Sequence, residues 1–207
     1  MNVLLINGSP HKSGCTFTAL SEIAGELEKQ EIETRIFPIG TKAIRGCVAC
    51  GQCEETGLCA YSGDIVNECI GLMKAADGII VGSPVYYASP NGALLALLDR
   101  AFFASGDAFA YKPAAAVVSC RRGGAASAFD ALNKYFTISN MPVVSSQYWN
   151  GVHGHTPEEV RQDLEGLQVM RALGRNMAWL LKCIEAAKET VPYPVQEPVR
   201  HWTNFIR

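Results

Sequence analysis

Four cysteines in one short segment are the most concentrated chemistry in this sequence. Cys47, Cys50, Cys53 and Cys59 follow the spacing Cys-x2-Cys-x2-Cys-x5-Cys. Four thiolates so close together can hold a [4Fe–4S] cluster, although bacterial ferredoxins have three residues in the last gap and a proline where this chain has Ala60. Zinc also binds four thiolates, but usually as two well-separated pairs. A glycine-rich surface loop of reduced thiols is the third interpretation, and the sequence leaves all three open.

A segment rich in Gly, Ser and Thr, residues 8–16, follows the apolar run of residues 3–6 and precedes a helical pattern. A helix N-terminus presents unpaired N–H groups and a positive dipole end, and glycine lets the backbone approach a phosphate. The segment is not a Walker A loop, because Cys15 and Thr16 follow Gly14 where that motif needs Lys and Ser or Thr. Hydroxyls with a single lysine suit a phosphate monoester. The alternative interpretation of the segment, taken alone, is an ordinary strand–helix turn with an N-cap.

Two more segments carry residues that suit a cofactor. Residues 83–90 read Ser-Pro-Val-Tyr-Tyr-Ala-Ser-Pro, and residues 121–124 read Arg-Arg-Gly-Gly. Rigid backbone with the adjacent rings of Tyr86 and Tyr87 suits a flat ring system, whereas the second segment offers backbone N–H groups and two positive charges. Each is weak evidence by itself, since tyrosines also pack at rims and arginines are often solvated.

The elements around these segments predict where they meet. Short apolar runs predict strands at residues 3–6, 34–39, 78–81, 114–119 and 142–146. Three-four apolar spacing predicts helices over residues 17–27, 65–75, 91–103, 125–136 and 156–184. This alternation predicts an α/β fold with a parallel sheet and helices on both faces. Ligands in such sheets bind beyond the carboxyl ends of the strands, and every segment described above follows a strand.

Composition limits the class of protein. The chain has 207 residues, of which 48% are hydrophobic and 18% charged, with a net charge of −2. This predicts a large core and gives no strong electrostatic field for nucleic acid or an anionic membrane surface. No apolar run approaches the length of a membrane span or an export signal. We expect a cytoplasmic protein, with no nucleic-acid partner and no membrane, consisting of one domain over residues 1–190, a cysteine loop at 46–60 after strand two, and a tail at 191–207.

Together these motifs resemble the flavodoxin-like NAD(P)H-dependent FMN reductases. The resemblance rests on residues 8–16, on residues 82–87 and on the Asn-Gly…Leu-Asp-Arg pattern of residues 91–100. It also covers residues 121–124 and the tail at 203–207, and the cysteine loop is similar to that of the iron–sulfur flavoproteins within that superfamily. It implies a single flavodoxin-like doubly wound domain, a five-stranded sheet in the order 2-1-3-4-5, and FMN held without a covalent bond.

The resemblance also implies a set of FMN-binding residues. Those around the phosphate would be Ser9, Ser13, Cys15, Thr16 and Phe17. Those lining the isoalloxazine would be Pro84, Val85, Tyr86 and Tyr87, with Arg121, Gly123 and Gly124 closing its other side. Phosphate loops of this family commonly read Asn-Thr where this chain has Cys15-Thr16, so one side-chain donor is missing while the backbone N–H remains.

The function expected from this resemblance is an FMN oxidoreductase. It would take hydride from NAD(P)H and pass electrons to a quinone, a flavin or another small acceptor, with no separate catalytic residue because the flavin carries the chemistry. The alternative is an iron–sulfur and FMN electron carrier without its own small-molecule substrate, and a third class is a thiol or metal sensor. We expect a homodimer or homotetramer, with Trp149, Trp179 and Trp202 as markers of the contact surface.

Overall fold

Continuous apolar runs form the middle of the sheet. The computed structural model describes residues 1–197, 199, 201 and 203. The strands are β1 (Asn2–Asn7), β2 (Glu33–Pro38), β3 (Gly78–Tyr86), β4 (Ser89–Pro90), β5 (Ala114–Cys120) and β6 (Gly151–His153). Leu5 of β1, Ile80 of β3 and Val117 of β5 are fully buried. These strands are apolar without alternation because helices cover both faces of the sheet.

Helices pack on the two faces as the sequence predicts. They are α1 (Cys15–Glu28), α2 (Cys53–Thr56), α3 (Val66–Ala75), α4 (Gly92–Ser105), α5 (Ala125–Ile138), α6 (Pro157–Val160) and α7 (Leu164–Ala187). Val66, Leu97 and Leu132 place α3, α4 and α5 in one core cluster. Leu20 and Leu173 place α1 and α7 in the other. Residues 191–197 follow α7 without helix or strand.

The sheet has the order β2-β1-β3-β5-β6, with these five strands parallel. Counted over the parallel strands alone, this confirms the predicted order 2-1-3-4-5. The two-residue strand β4 pairs antiparallel with the end of β3, Val85 opposite Pro90. The winding direction reverses between β1 and β3, where Asn7 lies opposite Gly82. The crevice beyond this point is where doubly wound folds bind ligands.

The predicted position of the fifth strand, residues 142–146, is wrong. Val143 forms only an isolated bridge to Ala114 at the start of β5, with the Val144 N–H donating to the Ala114 carbonyl at 2.8 Å. The chain then leaves this edge and returns at Asn150, whose carbonyl accepts from Val118 N at 3.0 Å before β6 begins. The two segments therefore lie along one edge of β5, residue 143 at its start and β6 at its end, and only tertiary packing determines which of them forms the longer pairing.

The predicted helix over residues 156–184 is two helices. Thr156 caps α6 by accepting from Glu159 N at 3.3 Å, and Asp163 caps α7 by accepting from Gly166 N at 2.9 Å. The apolar spacing continues across the break, so periodicity alone did not reveal it. Within the part of the chain that the structure describes, no helix is long and apolar enough to cross a membrane.

Candidate functional site

A buried asparagine shapes the segment that follows β1. Asn7 is fully buried, and its Oδ1 accepts from Ser9 N at 3.1 Å. The Ser9 hydroxyl in turn accepts from His11 N at 3.1 Å. Gly8 has no room for a side chain, because a Cβ there would lie 2.6 Å from the carbonyl oxygen of Gly82. The segment is therefore held against the end of β3 by hydrogen bonds and close backbone packing.

The N-terminus of α1 faces this segment. Among the described residues, no side chain caps the helix at Gly14, so the N–H groups of the first turn are available to an anion. Thr16 is buried, and its hydroxyl lies 2.8 Å from that of Ser119 at the end of β5. Burial raises the pKa of the Cys15 thiol, whose sulfur lies 3.8 Å from the Gly154 carbonyl oxygen.

Asn91 joins the segment after β3 to the segment after β1. Its backbone N–H donates to the Ser83 hydroxyl at 3.0 Å, and its Nδ2 donates to the Gly8 carbonyl at 2.8 Å. Its Oδ1 accepts from Ala93 N at 3.0 Å and thereby caps α4. One side chain, nine-tenths buried, therefore fixes both the start of α4 and the approach of two segments at the switch point.

The tyrosine pair presents open rings at the turn between β3 and β4. Tyr86 is 43% exposed and Tyr87 is fully exposed. Tyr87 and Ala88 have φ values of 49° and 58°, a left-handed conformation that is uncommon for residues other than glycine. Such backbone strain is often found at ligand-binding turns. The turn directs aromatic surface outward without covering it.

The segment after β5 lies against this turn. Gly124 has a φ of +87°, and a Cβ there would lie 2.8 Å from the Cα of Ala88. Arg121 and Gly123 are exposed. The close backbone approach brings the third predicted cofactor segment beside the second.

All three predicted FMN segments thus meet at the carboxyl edge of the sheet. Ser9, Thr16 and Phe17 are buried or half-buried, whereas Ser13 is exposed. Prediction missed the polar residues that connect the segments: Asn7, Ser83, Asn91 and Ser119. A signal for three of them was present, because a polar residue that ends a fully apolar strand must find a hydrogen-bond partner.

The four cysteines of residues 47–59 line one cavity of about 240 Å³. Cys47 and Cys50 are exposed, Cys53 is buried at the start of α2, and Cys59 is half-buried; all four are free thiols. Burial raises the pKa of Cys53, and the three other cysteines add to the shift. Within the described ranges, no three metal-binding side chains converge as an ion would require. The sulfurs share a cavity without forming a closed ligand set.

A buried arginine of α4 closes this cavity, and sequence reasoning missed it. Arg100 is 2% exposed; its guanidinium pairs with Asp64, donates from NH2 to the Tyr61 carbonyl at 2.7 Å and from Nε to the Cys59 sulfur at 3.1 Å. Burial by itself would lower the pKa of Arg100, but Asp64 and Cys59 outweigh it and the pKa is raised. Burial by itself would raise the pKa of Asp64, but the Arg100 hydrogen bond holds that pKa below its ordinary value.

A second cavity lies beside α5 and β6, with a volume of about 340 Å³. Its wall includes Phe129, Tyr148 and Trp149, together with Ala125 at the start of α5. Tyr148 and Trp149 are more than half exposed, and their ring centres lie 5.1 Å apart. No sequence pattern predicted this cavity, because its walls come from segments far apart in the chain.

The strand order β2-β1-β3-β5-β6 in a doubly wound parallel sheet, with an uncapped helix N-terminus at its switch point, is typical of the flavodoxin-like class. The sequence profile of the NADPH-dependent FMN reductases matches residues 1–156, and the chain belongs to this family. It is therefore an NAD(P)H-dependent flavin oxidoreductase with FMN as its cofactor and a nicotinamide cofactor as a partner. The resemblance predicted from the sequence is confirmed.

Related proteins match most of the chain. An iron-sulfur flavoprotein of Methanocaldococcus jannaschii is 33% identical over 193 residues, which cover 89% of this chain and 100% of the relative. One of Methanosarcina thermophila is 29% identical over 195 residues, covering 91% and 100%. An NADPH azoreductase of a Bacillus species is 31% identical over 137 residues, covering 64% and 65%.

Solved structures confirm the fold. An archaeal flavodoxin superposes with a TM-score of 0.61 at 17% identity, covering 88% of this chain and 99% of the flavodoxin. The NAD(P)H:acceptor oxidoreductase FerB of Paracoccus denitrificans superposes with a TM-score of 0.64 at 16% identity, covering 88% and 97%. At these identities the likeness concerns the fold alone.

Proposed function

We propose that this flavin oxidoreductase passes electrons from NAD(P)H to a small acceptor, namely a quinone, a second flavin or another small molecule. The observation that carries the proposal is the joining of the three cofactor segments at one edge of the sheet. Asn91 binds the Gly8 carbonyl, Thr16 binds Ser119, and Gly124 abuts the turn after β3. A flat cofactor with a phosphate tail needs such a junction, with an anion site on one side and aromatic surface on the other.

The residues present fit FMN. The N–H groups of the first turn of α1 and the exposed hydroxyl of Ser13 would hold the phosphate, since both are donors close to the positive end of a helix dipole. The open rings of Tyr86 and Tyr87 would lie along the isoalloxazine, with Arg121 adding positive charge nearby. When bound, FMN supplies the hydride and electron chemistry, and the protein supplies binding and orientation.

The remaining residues of the proposed FMN site have supporting roles. Those around the phosphate are Ser9, Cys15, Thr16 and Phe17. Those along the ring are Pro84, Val85, Gly123 and Gly124. Asn7 and Asn91 would hold the segments in place without contacting FMN. We propose residues 1–190 as the FMN-binding domain, with residues 191–207 as a tail.

A substitution at Cys15 tests the phosphate site. Cys15→Asn supplies the amide donor that phosphate loops of this family commonly carry. A hydrogen bond to a charged group contributes about 1.5–3 kcal/mol, so we expect FMN to bind roughly ten- to a hundredfold more tightly, because about 1.4 kcal/mol corresponds to tenfold. Fluorescence titration of apoprotein with FMN measures this. Cys183→Asn, on the exposed side of α7, is the matched control and should leave affinity unchanged. Equal affinities for all three proteins would contradict the placement.

Turnover tests the acceptor. Anaerobic oxidation of NADPH and NADH by the FMN-loaded protein should proceed with benzoquinone, free FMN or an azo dye as acceptor. The aromatic cavity beside Ala125 offers such a flat molecule an apolar surface, so Trp149→Ala should raise the KM for the acceptor with little change in the KM for NADPH. A protein that binds FMN but turns over none of these acceptors would contradict the proposal.

The assembly and compartment belong to the same proposal. All eight cysteines are free thiols, which supports a reducing compartment such as the cytoplasm. Trp149 and Trp179 are 64% and 68% exposed, which supports a homodimer or homotetramer; Trp202 lies outside the described residues. Light scattering of the purified protein measures the mass, and a monomer at micromolar concentration would contradict the proposed oligomer.

A second function is favoured by the cysteine cavity, namely that of an iron–sulfur and FMN electron carrier. The donor set fits a thiolate-bound cluster, because Cys47, Cys50, Cys53 and Cys59 are free and line one cavity, and the relatives named iron-sulfur flavoproteins support it. The helix α4 connects the two sites, since its cap Asn91 lies at the FMN segments and Arg100 at the cysteines. Nine residues at 1.5 Å each span about 14 Å.

Metal analysis separates the two functions. Anaerobically purified protein should contain iron and acid-labile sulfide if the carrier function holds, and NADPH turnover with small acceptors should be negligible. Cys50→Ser should remove iron but not FMN. Iron-free protein that turns over small acceptors would reject the carrier, whereas zinc without sulfide would assign the cysteines to the sensor class.

A further inference from the structure

We infer that Arg100 is a positioning residue of the cysteine site: its Nε–H holds the Cys59 sulfur as a fixed ligand and raises the reduction potential of the cluster bound there. This inference rests on the iron–sulfur cluster proposed above. It concerns a residue of α4, outside the cysteine loop and outside the FMN segments.

Arg100 donates hydrogen bonds to groups on both sides of the cysteine segment. NH1 pairs with Asp64 and also donates to the Arg45 carbonyl at 3.1 Å, and NH2 donates to the Tyr61 carbonyl. These bonds fix the residues on both sides of the cysteines. Pairing with Asp64 alone would account for a buried guanidinium, but it does not require the remaining Nε–H to point at a sulfur, as it does at 3.1 Å.

Cys59 is fixed by its backbone as well. Its N–H donates to Asn67 Oδ1 at 2.9 Å, and its carbonyl accepts from Asn67 Nδ2 at 2.8 Å. Cys47 and Cys50, by contrast, are exposed on a segment without helix or strand. Cys59 is therefore positioned by the folded protein, whereas Cys47 and Cys50 are not. This lets Cys59 serve as a fixed ligand when the cluster binds.

An N–H donor beside a ligating sulfur has a defined effect on a cluster. Reduction adds one electron and hence one negative charge to the cluster, and hydrogen bonds to its sulfurs are among the factors that set its potential. A hydrogen bond donated to a ligating sulfur by the Nε–H of a buried guanidinium stabilises the more negative, reduced form. Loss of the bond should therefore favour the oxidised form, and loss of the anchored ligand should also lower cluster occupancy.

Two substitutions and one control test this. Arg100→Lys keeps the positive charge but loses the Nε–H and the planar guanidinium. Arg100→Gln loses the positive charge as well as the Nε–H. Arg45→Gln is the control, because it removes a positive charge from the same segment, where the Arg45 guanidinium lies 5.4 Å from the ring centre of Tyr61. Each protein is reconstituted anaerobically with iron and sulfide, assayed for both, and titrated with dithionite while its EPR signal is recorded.

Both Arg100 variants should hold less iron and sulfide per chain than wild type. Their reduced form should be disfavoured about tenfold, which for one electron is about 59 mV. Arg45→Gln should match wild type. Wild-type potential and occupancy in both Arg100 variants would overturn the inference. A wild-type protein that takes up FMN but no iron and sulfide would instead reject the cluster itself, and the inference with it.

A measurement on the wild-type protein keeps the test independent of variant folding. Protein labelled with 15N only at arginine, reconstituted and reduced, should show a 15N coupling to the cluster in pulsed EPR. This coupling should persist in Arg45→Gln. Its absence from wild type that carries a full cluster would overturn the inference.

Discussion

Asn91 connects two proposed cofactor segments through one side chain, and its removal should weaken both FMN binding and the fold. In Asn91→Ala, α4 loses its N-cap, which costs about 1 kcal/mol. The buried Gly8 carbonyl also loses its donor, which costs about 1–3 kcal/mol. We expect the free energy of unfolding of the apoprotein to fall by about 3 kcal/mol in total. For a chain of 207 residues, this is a drop in Tm of roughly 6–12 °C.

Asn91→Ser separates the two contributions. Its hydroxyl still accepts from Ala93 N, so Asn91→Ser should be about 1 kcal/mol more stable than Asn91→Ala. The hydrogen bond to the Gly8 carbonyl is absent from both variants. Both variants should bind FMN about tenfold more weakly, because the segment after β1 is no longer fixed against the switch point. Urea unfolding of apoprotein gives the stability, and fluorescence titration gives the FMN dissociation constant.

Leu181→Ala is the control for a general loss of stability. Leu181 is 3% exposed and packs near Gly78 at the start of β3. This is the amino end of the strands, opposite the proposed FMN segments. Truncation of Leu181 should cost about 2–5 kcal/mol without changing FMN affinity. If Asn91→Ala and Asn91→Ser bind FMN as tightly as wild type, the reasoning that places FMN at this junction is refuted.

Three further outcomes follow from the same geometry. Gly124→Ala should destabilise the protein by about 1–3 kcal/mol, because the left-handed φ and the 2.8 Å backbone approach leave no space for a methyl group; thermal unfolding measures it. Thr16→Val should cost about 1–2 kcal/mol in urea unfolding because it leaves the Ser119 hydroxyl unpaired. Since Arg100 holds the pKa of Asp64 below 3.8, the stability from this pair should be present above that pH and be lost as the pH falls further. Asp64→Asn should therefore lose stability at neutral pH and show a shallower decline in acid, whereas an unchanged acid limb would contradict the pairing.

The sheet was predictable because its strands are apolar on both faces. The apolar runs of residues 3–6, 78–81 and 114–119 fit strands better than any other element. The strand order followed from the family resemblance. The fifth strand was misplaced because residues 142–146 form only an isolated bridge at the start of β5, whereas β6 forms the continuous pairing at its end. Contacts with β5 determine where that pairing lies, and periodicity contains no such information.

The residues of the candidate site also divide into those that the sequence could identify and those that it could not. Serines, tyrosines and glycines that follow strands were identifiable because parallel strands deliver their carboxyl ends to one edge of the sheet. Asn91 was visible only as the start of a helix. Its hydrogen bond to Gly8 joins residues 83 positions apart, and no local pattern specifies a partner at such a distance.

The sequence by itself determined an α/β architecture and the presence of four closely spaced thiols, because alternation and short-range spacing encode both. The family resemblance added the flavodoxin-like strand order and the three segments proposed to bind FMN. Only the tertiary structure placed the charge beside the thiols. Arg100 lies 41 positions from Cys59. It can remain buried because Asp64 and two carbonyls satisfy the guanidinium, and such compensation exists only once the chain has folded.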